Sequence, residues 1–286
     1  MVSNDRELPS QRLAAVIGSP VGHSLSPAIH RAAFDAAGVD WSYVAFDVQP
    51  GSASEALAAM RSLGIGGLSV TMPHKIDVAQ LVDRLDSAAA ALHTVNTVSW
   101  DGDQLVGSST DGAGFVASLA DVGVEVAGTR VAVIGAGGAA RSVIDALARA
   151  GAVDIAVLNR SKNQAHKAAA LAPAATVGLV SDISRADIVV NATSVGMGVA
   201  PADAGDDDMP CSLGLLRAGQ VVVDLVYYPL ETAWVRRAAD LGATTVDGLG
   251  MLVHQAALQQ QIWLGDDAVI DTSAMRVAAE AALAAS

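Results

Sequence analysis

The chain has 286 residues, 52% of them hydrophobic and only 16% charged, which leaves room for two ordinary domains with cores of their own and excludes extended disorder. A formal charge of −13 with few, scattered Lys and Arg excludes nucleic acid and anionic membrane surfaces as partners, and any anionic ligand has to be held by local donors against a repulsive overall field. The lone Cys211, histidines without zinc-ligand spacing, an acidic N-terminal segment and no apolar run of membrane-spanning length lead to the expectation of a cytoplasmic protein with neither disulfide nor metal.

In chain order, Leu13 to Ile17 reads as a strand. Ser26 then caps a helix with Pro27 in its first turn and Gly38 at its end. Trp41 to Val48 is a second strand, Ser54 to Leu63 a helix stopped by Gly64, and Gly67 to Thr71 a third strand, after which Pro73 opens another helix. Ala91 to Trp100 reads as extended. A fresh start comes at Arg130, where Val131 to Ile134 leads into a glycine-rich turn and an alanine-rich helix to about Arg149. Strands follow at Ile155 to Leu158, Ile188 to Asn191 and Val221 to Leu225, with an acidic loop over Val199 to Pro210. Helices Met251 to Leu264 and Ser273 to Ala285 are long enough to return to the first part. This alternation predicts an α/β fold of two α/β domains, an N-terminal one with a parallel-rich sheet and a Rossmann-type nucleotide-binding one.

The polar motifs sit at the ends of apolar runs. Gly135, Gly137 and Ala140 fit G-x-G-x-x-A between a strand and a helix, where backbone N–H groups approach a pyrophosphate. The next strand ends in Asn159-Arg160-Ser161-Lys162, with no acid for ribose hydroxyls and two cations suited to a 2′-phosphate, so NADP is the expected cofactor. Ser24 and Ser26 at a helix N-terminus suit a carboxylate, or else simply cap that helix. Lys75, with Asp111 beside hydroxyl and amide groups, makes a proton-transfer site, whereas His74 reads as packing. Thr71 and Asn96 can orient hydroxyls or close strand ends.

These motifs, from Val16-Ile17-Gly18-Ser19-Pro20 and His23-Ser24-Leu25-Ser26-Pro27 through Val70-Thr71-Met72-Pro73-His74-Lys75 to Gly248-Leu249-Gly250-Met251-Leu252-Val253-His254-Gln255, resemble the shikimate dehydrogenase family in order and spacing nearly end to end. The resemblance implies NADP-dependent, reversible reduction of 3-dehydroshikimate to shikimate in the route to aromatic amino acids, by a monomer or homodimer. It implies a substrate domain of residues 1–114 completed by 251–286, with an NADP-binding domain of residues 115–250 inserted. It further implies that Ser24, Ser26 and Tyr227 bind the substrate carboxylate, that Thr71, Asn96 and Gln255 bind its hydroxyls, and that Lys75 and Asp111 are the catalytic pair. Gly135, Ala136, Gly137, Gly138, Ala139, Asn159, Arg160, Ser161, Lys162, Thr193, Leu225 and Gly248 would line the cofactor.

Two departures concern the substrate. Ser69 and Ser109 stand where the family pattern generally has Asn, and Ser69 is counted with the substrate-binding residues on that account. Quinate, an amino-substituted shikimate or another related hydroxy acid therefore stays open as substrate. On the nucleotide side, Gln164 replaces a frequent second basic residue, with Lys162 nearby. A non-catalytic nucleotide-binding relative is the alternative of another class, and the presence of both Lys75 and Asp111 argues against it. Glutamyl-tRNA reductases share a similar nucleotide domain but need a nucleophilic cysteine in the substrate domain, and Cys211 falls in the other half.

Overall fold

The computed structural model describes residues 12–285, so the acidic N-terminal segment lies outside the described residues. The chain forms two compact units, one holding it up to Ser108 and from Gln259 onward, the other holding Ser109–Leu258. In the first unit the elements are β1 (Arg12–Gly18), α1 (Ser26–Ala37), β2 (Trp41–Asp47), α2 (Ala53–Leu63), β3 (Gly67–Val70), α3 (Lys75–Leu81), β4 (Arg84–Leu85), α4 (Ser87–Leu92), β5 (Thr97–Asp101) and β6 (Gln104–Ser108). The second runs through α5 (Asp111–Asp121), β7 (Arg130–Ile134), α6 (Gly138–Arg149), β8 (Asp154–Leu158), α7 (Lys162–Ala169), β9 (Ala175–Val177), α8 (Asp182–Arg185) and β10 (Ile188–Asn191). It continues with β11 (Val221–Asp224), α9 (Ala233–Asp240) and β12 (Thr244–Val246); α10 (Gly248–Leu264) and α11 (Thr272–Ala284) then close the chain.

The first sheet has the order β2-β1-β3-β5-β6-β4. Its β1–β2, β1–β3 and β4–β6 pairs are parallel, while β5 runs antiparallel to β3 and β6. Alternation along β1 buries Ala15 and Ile17 with Leu57, Met60 and Val70 on one face. Ala14 and Val16 face the other way, with Phe34 of α1, Tyr43 and Trp263 of α10. The second sheet, β12-β11-β10-β7-β8-β9, is parallel throughout. Counted from β7 this is the doubly wound Rossmann order, and its two faces are again both covered, Val131 and Val133 in one core and Ala132 in the other.

Three local expectations are corrected. The N-cap of α1 is Leu25, not Ser26; instead Ser24 Oγ accepts from the Ser26 amide at 3.3 Å. Pro73 lies in a turn and α3 begins at Lys75, because the backbone first turns through His74, whose amide donates to the Thr71 carbonyl at 3.0 Å. Ala91 and Leu92 are helical, ending α4 at a left-handed His93, so the extended stretch starts only at Thr97. The acidic 199–210 loop includes a 3-10 turn at Asp206–Asp208. Among the described residues no helix is long and apolar enough to cross a membrane.

The α1 face of the first sheet carries an unusual polar core. His30 is fully buried and stacked on Tyr43, with ring centroids 4.2 Å apart and planes 8° apart. Gln260 Nε2 donates to His30 O at 2.9 Å and lies 3.2 Å from Nδ1. Since a carbonyl can only accept, the amide nitrogen faces His30, its Nδ1 is the acceptor, and the ring proton sits on Nε2, which has no partner of hydrogen-bond geometry among the described residues. Such an orphan costs about 1–3 kcal/mol, of which ring stacking returns about 0.5–1.5. A second proton would bury a charge as well, and burial pushes the His30 pKa from 6.5 down to about 3.

A pH dependence follows. Below pH 6.5 the unfolded chain protonates this histidine while the folded one stays neutral until about 3, so stability is lost as pH falls through that window. Between pH 7.5 and 5.5 the loss from this group should be about 1.4 kcal/mol. Urea unfolding at the two pH values should show a smaller difference for His30→Leu than for the unmutated protein; an equal one would reject the assignment.

Candidate active site

Gly135 follows β7 with φ of 123°, and a Cβ there would lie 2.6 Å from Ala192 O in the turn after β10. Glycine is therefore required where these neighbouring strands part, at the switch point that collects ligands in doubly wound sheets. By contrast, Gly137 and Gly138 have nothing within 4 Å of an added Cβ, and together with Ala139 they are exposed. The start of α6 is thus exposed and carries no side chain on these two glycines, the condition under which helix N-terminal N–H groups can take a pyrophosphate. At the end of β8, Asn159 Nδ2 donates to Ser161 O at 3.1 Å and Ser161 Oγ accepts from Gln164 N at 3.4 Å, shaping the start of α7. Arg160 and Lys162 are exposed there, and neither has an ion-pair partner among the described residues.

The parallel strands β10 and β11 end in register on Asn191 and Asp224, both buried. Asn191 Nδ2 donates to Asp224 Oδ1 at 2.8 Å, which also accepts from Val226 N at 3.0 Å, while Thr232 Oγ1 donates to Oδ2 at 2.7 Å. Burial raises the Asp224 pKa, and these three donors pull it back. Asn191 Oδ1 in turn accepts from Thr193 N at 3.1 Å and Thr193 Oγ1 at 2.6 Å, and Leu225 N donates to Asn191 O at 3.0 Å. A Cβ on Gly248 would lie 2.4 Å from Leu225 O. One network therefore gathers Thr193, Leu225 and Gly248 beside the Gly135 turn. Sequence reasoning missed its hub, although two neighbouring apolar runs ending in Asn and Asp were a readable signal. Tyr227, further along, is half-buried, and burial raises its pKa.

In the same unit, a Cβ on Gly114 would lie 2.5 Å from Gln255 N, one on Gly112 2.4 Å from Ser142 O, and one on Gly250 3.0 Å from Ser118 Cβ. Helices α5, α6 and α10 approach this closely because small residues line their crossings. Thr110 Oγ1 donates to Gln255 O at 3.0 Å, so Asp111 at the start of α5 and Gln255 are set by one packing. Residues 109–114 and 251–258, which the sequence division gives to the substrate domain, fold in this unit.

In the first unit, Thr71 follows β3 directly, and its Cγ2 lies 2.3 Å from where Gly18 would carry a Cβ. Lys75 is half-buried at the first turn of α3, and its carbonyl accepts from Val95 N at 2.9 Å. His74 is fully buried with Nε2 2.7 Å from Val48 O, which ties the start of α3 to the end of β2 in the packing role expected of it. Asn96 is buried, with Oδ1 accepting from Thr97 Oγ1 at 2.8 Å. The Ser69 hydroxyl is engaged by Tyr43 and Gln259, each at 2.6 Å. Burial pushes the Tyr43 hydroxyl well above the usual tyrosine range, and its hydrogen bonds with Ser69 and Ser26 pull the other way. Ser24 is half-buried, and Ser109, in the second unit, is buried. No group of three or more His, Cys, Asp or Glu residues among those described is arranged to hold a metal ion.

The glycine turn at the switch point of a doubly wound sheet, on a chain whose other sheet ends in hydroxyl, amide and ammonium groups, defines a two-unit protein of the dinucleotide-binding oxidoreductase class. Comparison with known proteins narrows this. Residues 16–98 match the shikimate dehydrogenase substrate-binding domain, 118–204 the shikimate/quinate 5-dehydrogenase family, and 248–279 the shikimate 5′-dehydrogenase C-terminal domain. The NADP(+) shikimate dehydrogenase of Symbiobacterium thermophilum is 43% identical over 284 residues, covering 95% of each chain. The crystal structure of Thermus thermophilus shikimate 5-dehydrogenase in complex with NADP(H) and shikimate is 33% identical, with a TM-score of 0.86 over 95% of this chain and 100% of that one. Ligand-free 5-ketofructose reductase of a Gluconobacter strain is 34% identical, with a TM-score of 0.86 over 95% of this chain and 98% of that one. The chain belongs to the shikimate dehydrogenase family.

The glycine turn separates two kinds of requirement. Gly135→Ala should lower stability by about 1–3 kcal/mol, from a strained φ and a backbone collision, whereas Gly137→Ala should stay within about 1 kcal/mol of the unmutated protein. Denaturant unfolding of the two variants checks this; equal losses would contradict it.

Proposed function

We propose that this protein catalyses the reversible, NADP-dependent reduction of 3-dehydroshikimate to shikimate. The observation that carries the reading is the acid-free turn after β8, where Arg160 and Lys162 stand exposed beside an open α6 N-terminus, on a chain of the shikimate dehydrogenase family. Two cations and free N–H groups are the donor set that a 2′-phosphate and a pyrophosphate need. In this reading the Rossmann-type unit holds NADP along Gly135–Ala139, Asn159–Lys162, Thr193, Leu225 and Gly248. In the same reading the hydroxy acid has its carboxylate on Ser24, Ser26 and Tyr227 and its hydroxyls on Thr71, Asn96 and Gln255.

When bound, the reduced nicotinamide supplies the hydride. Lys75 gives a proton to the carbonyl oxygen as it becomes an alkoxide and takes it back in the reverse direction, and Asp111 is the other acid–base residue. Ser24 and Ser26 at the start of α1 offset the repulsion that a chain of charge −13 exerts on an acid.

Steady-state kinetics test this with shikimate, quinate and 5-ketofructose, each with NADP and NAD. Shikimate with NADP should give the highest kcat/KM; a higher value for another substrate, or equal values with the two cofactors, would overturn the reading. Arg160→Ala should weaken NADP by about 1.5–3 kcal/mol, the scale of a charge-assisted contact, with little effect on NAD. Lys75→Ala should cut kcat at least about 100-fold with a smaller change in KM, Asp111→Asn nearly as much, and the double variant little more. Additive losses would show that the two groups act independently.

A further inference from the structure

Four buried groups on one face of the first unit's sheet are joined in a line. Tyr43 Oη lies 2.6 Å from Ser69 Oγ, Ser69 Oγ 2.6 Å from Gln259 Oε1, and Gln259 Nε2 3.0 Å from Asn96 O. None of the four residues is more than 5% exposed. Only one polarity satisfies them all. The Asn96 carbonyl can only accept, so Gln259 presents its nitrogen there and its oxygen to Ser69; Ser69 must then donate to Gln259, and its oxygen accepts from Tyr43. The Asn96 carbonyl also accepts from Val70 N at 2.7 Å, and Asn96 N donates to Ser108 O at 3.0 Å. The peptide that carries the Asn96 side chain is thus pinned between β3, β6 and Gln259, and the line from Tyr43 holds the Gln259 amide in the direction that the Asn96 carbonyl requires.

We infer that Tyr43 and Ser69 are a matched pair of positioning residues, which set affinity for the hydroxy acid through Gln259 and Asn96 without touching it. The inference rests on the reading that Asn96 holds a substrate hydroxyl. Ser69 has one proton, committed to Gln259, and its oxygen is covered by Tyr43. Loss of either hydroxyl breaks the line at the same point, so the two positions are coupled.

Kinetics with NADP and NMR of the free protein test the pair together. Tyr43→Phe, and Ser69→Ala as a second variant, should raise the KM for the hydroxy acid about fivefold to twentyfold, the scale of one misaligned neutral hydrogen bond, with kcat within about twofold and the NADP KM unchanged. In an Asn96→Ala background Tyr43→Phe should add less than about twofold, because the relay then ends on nothing. Tyr43→Phe combined with Ser69→Ala should be within about twofold of the worse single variant, because both break one line. A KM effect of the same size in both backgrounds, a parallel fall in kcat, or additive losses in the combined variant would overturn the inference. Failure of the substrate reading shows separately, as no shikimate turnover by the unmutated protein. The relay is then judged by NMR alone: Tyr43→Phe should shift the backbone amides of Val70 and Asn96 while those of Val131 to Ile134 stay in place, and unmoved Val70 and Asn96 resonances would refute it.

Discussion

A polar group inside a sheet that is covered on both faces has no water to turn to, and leaving it unpaired costs about as much as burying a whole valine side chain gains. Both sheets of this protein are covered in that way. Many buried polar side chains accordingly fall into two situations. Some stand at the carboxyl ends of strands, where Asn191 and Asp224 satisfy each other and the turns that follow. Others are threaded into closed hydrogen-bond lines such as Tyr43, Ser69 and Gln259, or Gln220, whose amide nitrogen serves the Ile183 and Ala186 carbonyls at 2.8 and 2.9 Å. The same rule that stabilises the cores gathers the chemistry at one end of each sheet.

That gathering depends on backbones coming closer than ordinary side chains allow. The turn after β7 leans on the turn after β10 at Gly135, and Gly248 leans on the Leu225 carbonyl. Gly112 and Gly114 let α5 sit against α6 and α10. The glycines of the turn after β7 have two different jobs. Gly135 removes a collision within the protein, while Gly137 and Gly138 keep a surface bare for something else. A pattern written only as spaced glycines does not distinguish these.

Much of the architecture was legible because it is local. The left-handed glycines Gly38 and Gly64 end α1 and α2 where the apolar periodicity stops, and the run Val131 to Ile134 opening on glycine marks the second sheet's first strand. The hairpin between β5 and β6 was missed although Asp101-Gly102 stands at its turn, because the helical Ala91 and Leu92 were joined to the strand as one extended run. At the candidate site, polar residues closing apolar runs were visible in sequence. Their supports were not: Ser69 meets Tyr43 across 26 positions and Gln259 across 190, so nothing near it in the chain announces either partner. An isolated serine in place of an amide looks like a hole in a pocket until the tyrosine beside it is seen.

The indole of Trp263 rests where Gly67 has no Cβ, with Nε1 donating to Val98 O at 3.1 Å, and Trp41 covers Gly66 in the same manner. With Trp100 they place three of the four tryptophans in the first unit, while Trp234, 1% exposed, is the only one in the second. The chain thereby carries its own optical labels. Replacing Trp234 silences the Rossmann-type unit and leaves an emission that reports the mixed sheet alone, so the melting of the two cores becomes separable by fluorescence without any added dye.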